Sequence, residues 1–222
     1  RLNMNTEQPG FDFDKVRTAA STMWNKDLSK VQVEGGTKDE KTIFYTGMYH
    51  LLIHPNILQD VNGEYPMMES LKVGHTTGNR YTVFSLWDTY RNVSTLMTLL
   101  YPERQLDIIR TMLDMYRENG WLPKWELYGR ETFTMEGDPS IPYIVDAWMR
   151  GLRDFDEQTA YEAMRKGATT PGEFNLLRPD ANDYFSKGYV PLREQYDNSV
   201  SHALEYYIAD WNLANFAQAL GK

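Results

Sequence analysis

The sequence contains no cysteine, which excludes disulfides, thiolate nucleophiles and cysteine-ligated zinc. It has no run of about 18 apolar residues, the length that a membrane-spanning helix needs. Basic charge is scarce: 23 Lys and Arg stand against 31 Asp and Glu, a net charge of −8. Phosphate backbones are bound by basic fields, so nucleic acid is not an expected partner. Low-complexity segments are also missing, and 41% hydrophobic with 24% charged residues is not a disordered composition. What is plentiful is aromatic: 6 Trp, 15 Tyr and 9 Phe in 222 residues. Tyr and Trp combine an apolar face with a polar edge, which suits a sugar ring as well as a core.

Hydrophobic spacing is helical almost throughout. Phe13, Val16, Ala20, Trp24 and Leu28 predict a helix over residues 12–29. Thr37 and Glu40 form a capping box ahead of a second, which carries Phe44, Met48, Leu51 and Leu52 and ends at Pro55. The longest stripe runs through Val83, Leu86, Trp87, Tyr90, Val93, Met97 and Leu100 and predicts one continuous helix. Pro102 opens a fourth helix that stops at Asn119-Gly120. Asp138 is the expected N-cap of a fifth, with Pro139 at its first position. Asp156 caps a sixth, and a seventh carries Val200, Leu204, Tyr207, Ile208 and Trp211. Apart from a short strand within 71–83, no strand alternation is visible. The expected fold is therefore all-α, built of α/α hairpins. The connections 56–80, 121–137 and 169–197 are long for a compact domain. They carry Tyr65, Trp121, Trp125, Tyr128, Tyr184 and Tyr189, which points to a binding surface at one end of the helices.

Several constellations bear on chemistry. His50 and His54 stand four apart, but no acid lies between them, so the metalloprotease pattern is not met; a polar helix end is the simpler reading. Asp60 to Glu64 places acceptors around a glycine turn, yet the twelfth position of a calcium loop is Leu71. Gly74 to Arg80 is glycine-rich without the Lys-Ser/Thr of a phosphate cradle. In Ser85 to Arg91, the side chains of Trp87, Asp88 and Arg91 fall on neighbouring positions of a helix. A carboxylate fixed by an arginine beside an indole can grip vicinal hydroxyls while the ring carries the sugar face; the alternative is an intrahelical Asp88–Arg91 pair next to a core Trp. Glu126, beside Trp125, is a further candidate ligand contact.

Six stretches together resemble glycoside hydrolase family 92, the calcium-dependent exo-acting α-mannosidases. They are Phe44 to His50, His54-Pro55-Asn56, Asp60 to Tyr65, Phe84 to Arg91, Pro123 to Leu127 and Val200 to Tyr207, in matching order and spacing. In that family a β-sandwich precedes a six-hairpin (α/α)6 toroid. The resemblance makes residues 1–222 a partial toroid, about half of it, with the sandwich and the remaining hairpins elsewhere in the parent. The chain opens at Arg1 and closes at a helix end, and is expected to be a piece of a larger protein.

The resemblance implies removal of terminal α-linked mannose with inversion, by a glutamic acid and an aspartate base roughly 6.5–9.5 Å apart. The resemblance places the family motifs for acid, base and main calcium ligands beyond residue 222, and none matches a stretch here, so the 222-residue piece alone is expected to be inactive. Trp87 and Asp88 match positions expected to face the bound mannose, with Arg91, His54, Asp60 and Glu126 as further contacts. The implied cofactor is calcium. The implied partners are an α-mannoside glycan and the rest of the same polypeptide. The implied location is outside the cytoplasm of a bacterium, in the periplasm or at the cell surface. Two alternatives remain open: another (α/α)6 glycosidase of glucosidase or trehalase type, and a helical-hairpin scaffold that binds protein.

Overall fold

The computed structural model describes residues 1–192 and 198–222; residues 193–197, at the end of the third long connection, lie outside the described residues. The domain is mostly helical, as the spacing predicts. Helices α1 (Leu2–Glu7) and α2 (Phe13–Leu28) open the chain. The Asp12 carboxylate accepts from the Lys15 N–H and starts α2. Helix α3 (Lys38–Leu51) begins with the predicted capping box: the Thr37 hydroxyl accepts from the Glu40 N–H at 3.2 Å, and Glu40 accepts from the Thr37 N–H at 2.6 Å. It ends before His54, so the two histidines do not share a helical face.

The longest stripe is not one helix. It divides into α4 (Leu86–Thr89) and α5 (Val93–Leu100). Tyr90 and Arg91 are drawn from the break toward Glu205, more than a hundred residues away. The apolar period does not reveal this, because the residues on both sides of the break still face the core. Val83 stands outside the helix altogether, at φ +67°.

Next come α6 (Pro102–Asn119), α7 (Ser140–Met149), α8 (Glu157–Thr169), α9 (Ala181–Lys187) and α10 (Ser199–Ala219). Helix α6 has Pro102 in its first turn and stops at Gly120, whose φ of +86° suits glycine. Asp156 caps α8 by accepting from the Thr159 N–H at 2.9 Å. Asp138 does not cap α7. Pro139 occupies the N-cap position, and the Asp138 side chain is buried toward Arg178, 3.5 Å away. The need of a buried guanidinium for a counter-charge outweighs a surface cap.

Helix α7 is the axis of the core. Ser140 to Val145, Ala147 and Trp148 are all buried, and the helix packs on α5, α6, α8 and α10. A helix that is apolar on all sides belongs at such a centre. Helix α6 contributes Ile108, Ile109, Met112, Leu113 and Met115. Phe216 of α10 is buried edge-on against Trp148 at 5.1 Å. Helix α2 buries no residue completely and rests on α3 through Trp24 and Tyr49, 4.6 Å apart.

The long connections hold short antiparallel ladders: β1 (Asn56–Ile57) with β4 (Tyr81–Thr82), β2 (Glu64–Pro66) with β3 (Val73–His75), and β5 (Glu126–Leu127) with β6 (Arg130–Glu131). In the second ladder Tyr65 lies across Gly74, where an added Cβ would stand 2.6 Å from the phenol ring.

Candidate functional site

The site is built on the segment that joins β4 to α5. Val83 adopts a left-handed conformation that a β-branched residue rarely tolerates. Glu126 holds it there. The Glu126 carboxylate accepts from the Val83 N–H at 3.1 Å, from the Thr82 hydroxyl at 2.9 Å and from the Gly129 N–H, while its backbone carbonyl accepts from the Phe84 N–H at 3.0 Å. Burial pushes this carboxyl above its ordinary range, and the donors from Gly129, Thr82 and Val83 oppose that shift. Glu126 is fully buried with its acceptors in use, so it does not offer a carboxylate to a ligand. It braces the strained turn that leads into Ser85 to Arg91.

From that turn α4 presents Trp87 half-buried and Asp88 exposed. The Ser85 hydroxyl donates to Asp88. Arg91 does not pair with Asp88. It donates to Glu205 and, at 2.8 Å, to the carbonyl of Trp87. Its guanidinium lies 4.3 Å from the Tyr90 ring centroid and 5.4 Å from that of Trp87. Glu205 also accepts from the Trp87 indole N–H at 3.2 Å and from the Tyr90 hydroxyl at 2.7 Å. Burial, together with the bond to Glu205, raises the Tyr90 phenol well above its ordinary value. The result is an indole face, a guanidinium and an outward carboxylate on one short segment. It is an arrangement suited to a polyhydroxylated ring.

The remaining expected contacts lie elsewhere. His54 is exposed and lines an apolar hollow of about 610 Å³ with Phe44, Met48, Thr89 and Val93. Thr89 makes this hollow a neighbour of the Trp87 segment. Asp60 borders a separate hollow of about 550 Å³ beside Glu64, Tyr65 and Leu71. Its carboxylate accepts from Asn3 at 2.7 Å, and its backbone closes the turn through Gly63 and Glu64. Among the described residues no group of three or more His, Asp or Glu side chains is placed to hold a metal ion. The described residues therefore offer no complete ligand set for the calcium that the family resemblance implies.

The sequence reading missed Glu205. A lone acid on the face of α10 that also buries His202, Ala203, Tyr206 and Ala209 was its one signal, since a buried carboxylate requires partners. It also missed Arg178, fully buried over the Tyr206 ring and bonded to Asp210 at 2.7 Å.

The architecture defines an all-α domain of the α/α type. The profile of the glycosyl hydrolase family 92 catalytic domain matches residues 1–222. A family 92 inverting mannosidase from Bacteroides thetaiotaomicron is 32% identical, with a TM-score of 0.91, over 100% of this chain and 30% of that one. A family 92 α-mannosidase from the same organism, solved in complex with mannoimidazole, is 35% identical with a TM-score of 0.89, over 99% of this chain and 28% of that one. A curated relative from Arthroderma benhamiae, described as an uncharacterized secreted glycosidase, is 28% identical over 236 residues, 99% of this chain and 26% of the relative. The chain belongs to glycosyl hydrolase family 92, within the catalytic domain. It spans no more than 30% of the length of these relatives.

Proposed function

We propose that the protein containing this chain is an inverting exo-acting α-mannosidase, and that residues 1–222 supply part of its sugar subsite. The observation that carries this reading is the family match over the whole chain, joined to mannosidase structures at 32–35% identity, one of them with mannoimidazole bound. Trp87 and Asp88 are the proposed contacts to the terminal mannose, Trp87 through its ring face and Asp88 through hydrogen bonds from adjacent hydroxyls. Arg91 orders the platform between them and α10. The acid, the base and any calcium ligands are assigned to the remainder of the polypeptide, which is also the proposed partner of this chain. Domain 1–222 is accordingly the first part of the helical toroid. The natural partner outside the protein is a glycan ending in α-linked mannose, and the secreted relative favours an exported protein. No helix among the described residues is long and apolar enough to cross a membrane.

The test uses the full-length protein on an aryl α-mannoside and on α-mannobiose. Release of mannose whose first-formed anomer is β, abolished by a calcium chelator and restored by calcium, is the expected result. Turnover of α-glucosides or trehalose instead would replace the substrate, and retention of configuration would overturn the mechanism.

A further inference from the structure

The subsite as described is not self-supporting. Helix α4 is only four residues long, and a Trp side chain on such a segment has a broad second torsion. Its indole N–H is a donor with a single bond to give. That bond goes to Glu205, which reaches in from α10. The same oxygen, Oε1, accepts from Arg91, while Oε2 is reserved for the Tyr90 hydroxyl. Arg91 in turn ties back to the Trp87 carbonyl. One carboxylate therefore fixes the ring of Trp87, the guanidinium beside it and the backbone between them. Glu205 is itself wedged: an added Cβ at Gly137, whose φ is +71°, would stand 2.4 Å from the Glu205 Cβ. The 121–137 connection, α10 and α4 meet at this one side chain.

We propose that Glu205 is a positioning residue for the sugar subsite, holding Trp87 and Arg91 in the orientation in which the mannose meets them. This rests on the reading that Trp87 and Asp88 face the sugar. Glu205 touches no substrate in this scheme. It removes the disorder that the ligand would otherwise have to remove on binding, which is the general gain from a preset site. Its two oxygens also separate two roles. Loss of the Tyr90 bond to Oε2 weakens the fold, whereas loss of the Oε1 bonds loosens the platform.

The experiment is steady-state kinetics on an aryl α-mannoside, mannoimidazole binding and thermal melting, all on the full-length protein. The variants are Glu205→Gln, Trp87→Phe, their double mutant and Tyr90→Phe. The expected result is a loss of about tenfold in kcat/KM and in mannoimidazole affinity for Glu205→Gln, the size of one hydrogen bond to a charged group. Trp87→Phe also loses activity, and adding Glu205→Gln to it costs little more, because the two act through one contact. Tyr90→Phe, which keeps the ring under Arg91 and removes only the bond to Oε2, lowers the melting temperature. If Glu205→Gln fails to fold, Glu205→Asp keeps the charge beside Arg91, retracts the oxygens by one methylene, and carries the same expectation. Wild-type kinetics in the folded Glu205 variant, or losses that add in the double mutant, would overturn the proposal while Trp87→Phe still shows the subsite to be real. Wild-type kinetics in both Trp87→Phe and Asp88→Asn would instead remove the subsite reading, and the role of Glu205 with it.

Discussion

Arg80 and Glu118 meet through two parallel N–H···O bonds of 3.0 and 2.8 Å, with 2% and 6% of their side chains exposed. The same carboxylate accepts from the Tyr65 hydroxyl at 2.9 Å and from the Met68 N–H at 2.7 Å, and the guanidinium lies 4.4 Å from the Tyr65 ring centroid. This network binds the 56–80 connection to α6. Burial, with the Glu118 bond, raises the Tyr65 phenol to about 12. Removing Glu118 strands a buried cation, so Glu118→Ala is expected to cost about 3–5 kcal/mol in denaturant unfolding. A loss below about 1 kcal/mol, the range of an exposed pair, would show that the pair is solvated in solution.

His202 supplies a pH dependence. Its Nε2 lies 3.0 Å from Glu136, while its Nδ1 is buried with no partner. Burial pushes the imidazole below its ordinary value near 6.5, and the Glu136 charge pulls it back only in part. A proton on Nδ1 would bury an N–H without an acceptor. The sign follows: the unfolded chain takes up the proton first as pH falls from about 6.5, so stability drops through and below that window. His202→Gln keeps a donor to Glu136 and does not titrate. Unfolding midpoints compared at about pH 7.5 and pH 5.5 should show a smaller acid loss in the variant. Equal losses in both proteins would assign the pH dependence to other groups.

The helices were legible because their signals are local. The capping box at Thr37, the Asp156 cap and the Asn119-Gly120 stop need only neighbouring residues. What was not legible is what crosses the chain. Asp138 looks like a cap until Arg178 is brought to it. Glu126, next to a Trp, reads as a ligand contact until Thr82, Val83 and Gly129 close on it. Arg91 has Asp88 three residues away, and a distant Glu205 takes it instead. Trp87 and Asp88 were legible as candidates because both lie on one short segment and neither is consumed by the core.

Helix α10 leaves an apolar row uncovered: Val200 is 71% exposed, Leu204 56% and Trp211 68%, with Tyr207 beside them. Apolar patches of this kind are rarely left open on a monomer. If the proposed full-length protein carries the rest of the toroid, its neighbouring helices are the expected cover. The 222-residue chain expressed alone is therefore expected to self-associate in sedimentation velocity, and Leu204→Lys with Trp211→Lys to shift it toward monomer. A monomeric 222-residue chain would show that the row is closed in some other way.

Asp88 gives the sharpest test of the subsite. Its carboxylate is exposed, near the start of α4, and its bond is to the Ser85 hydroxyl. The intrahelical pair with Arg91, the plainest structural reason for an acid at this position, is not made, because Arg91 is committed to Glu205. Asp88→Asn keeps the shape and an acceptor for Ser85, so the fold has little to lose. A sugar does have something to lose, because an ionised carboxylate accepts from two adjacent hydroxyls and an amide offers one acceptor oxygen. If the contact tightens as the ring distorts, the loss falls on kcat as well as on KM. A hydrogen bond to a charged group is worth roughly 1.5–3 kcal/mol, or about one to two orders of magnitude in kcat/KM. The measurement is steady-state kinetics on full-length Asp88→Asn beside its thermal melt. An unchanged melt with kcat/KM reduced by about tenfold or more is the expected outcome. Unchanged kinetics, or a rate loss that unfolding accounts for, would leave Asp88 as a surface residue held by Ser85 and move the sugar off this segment.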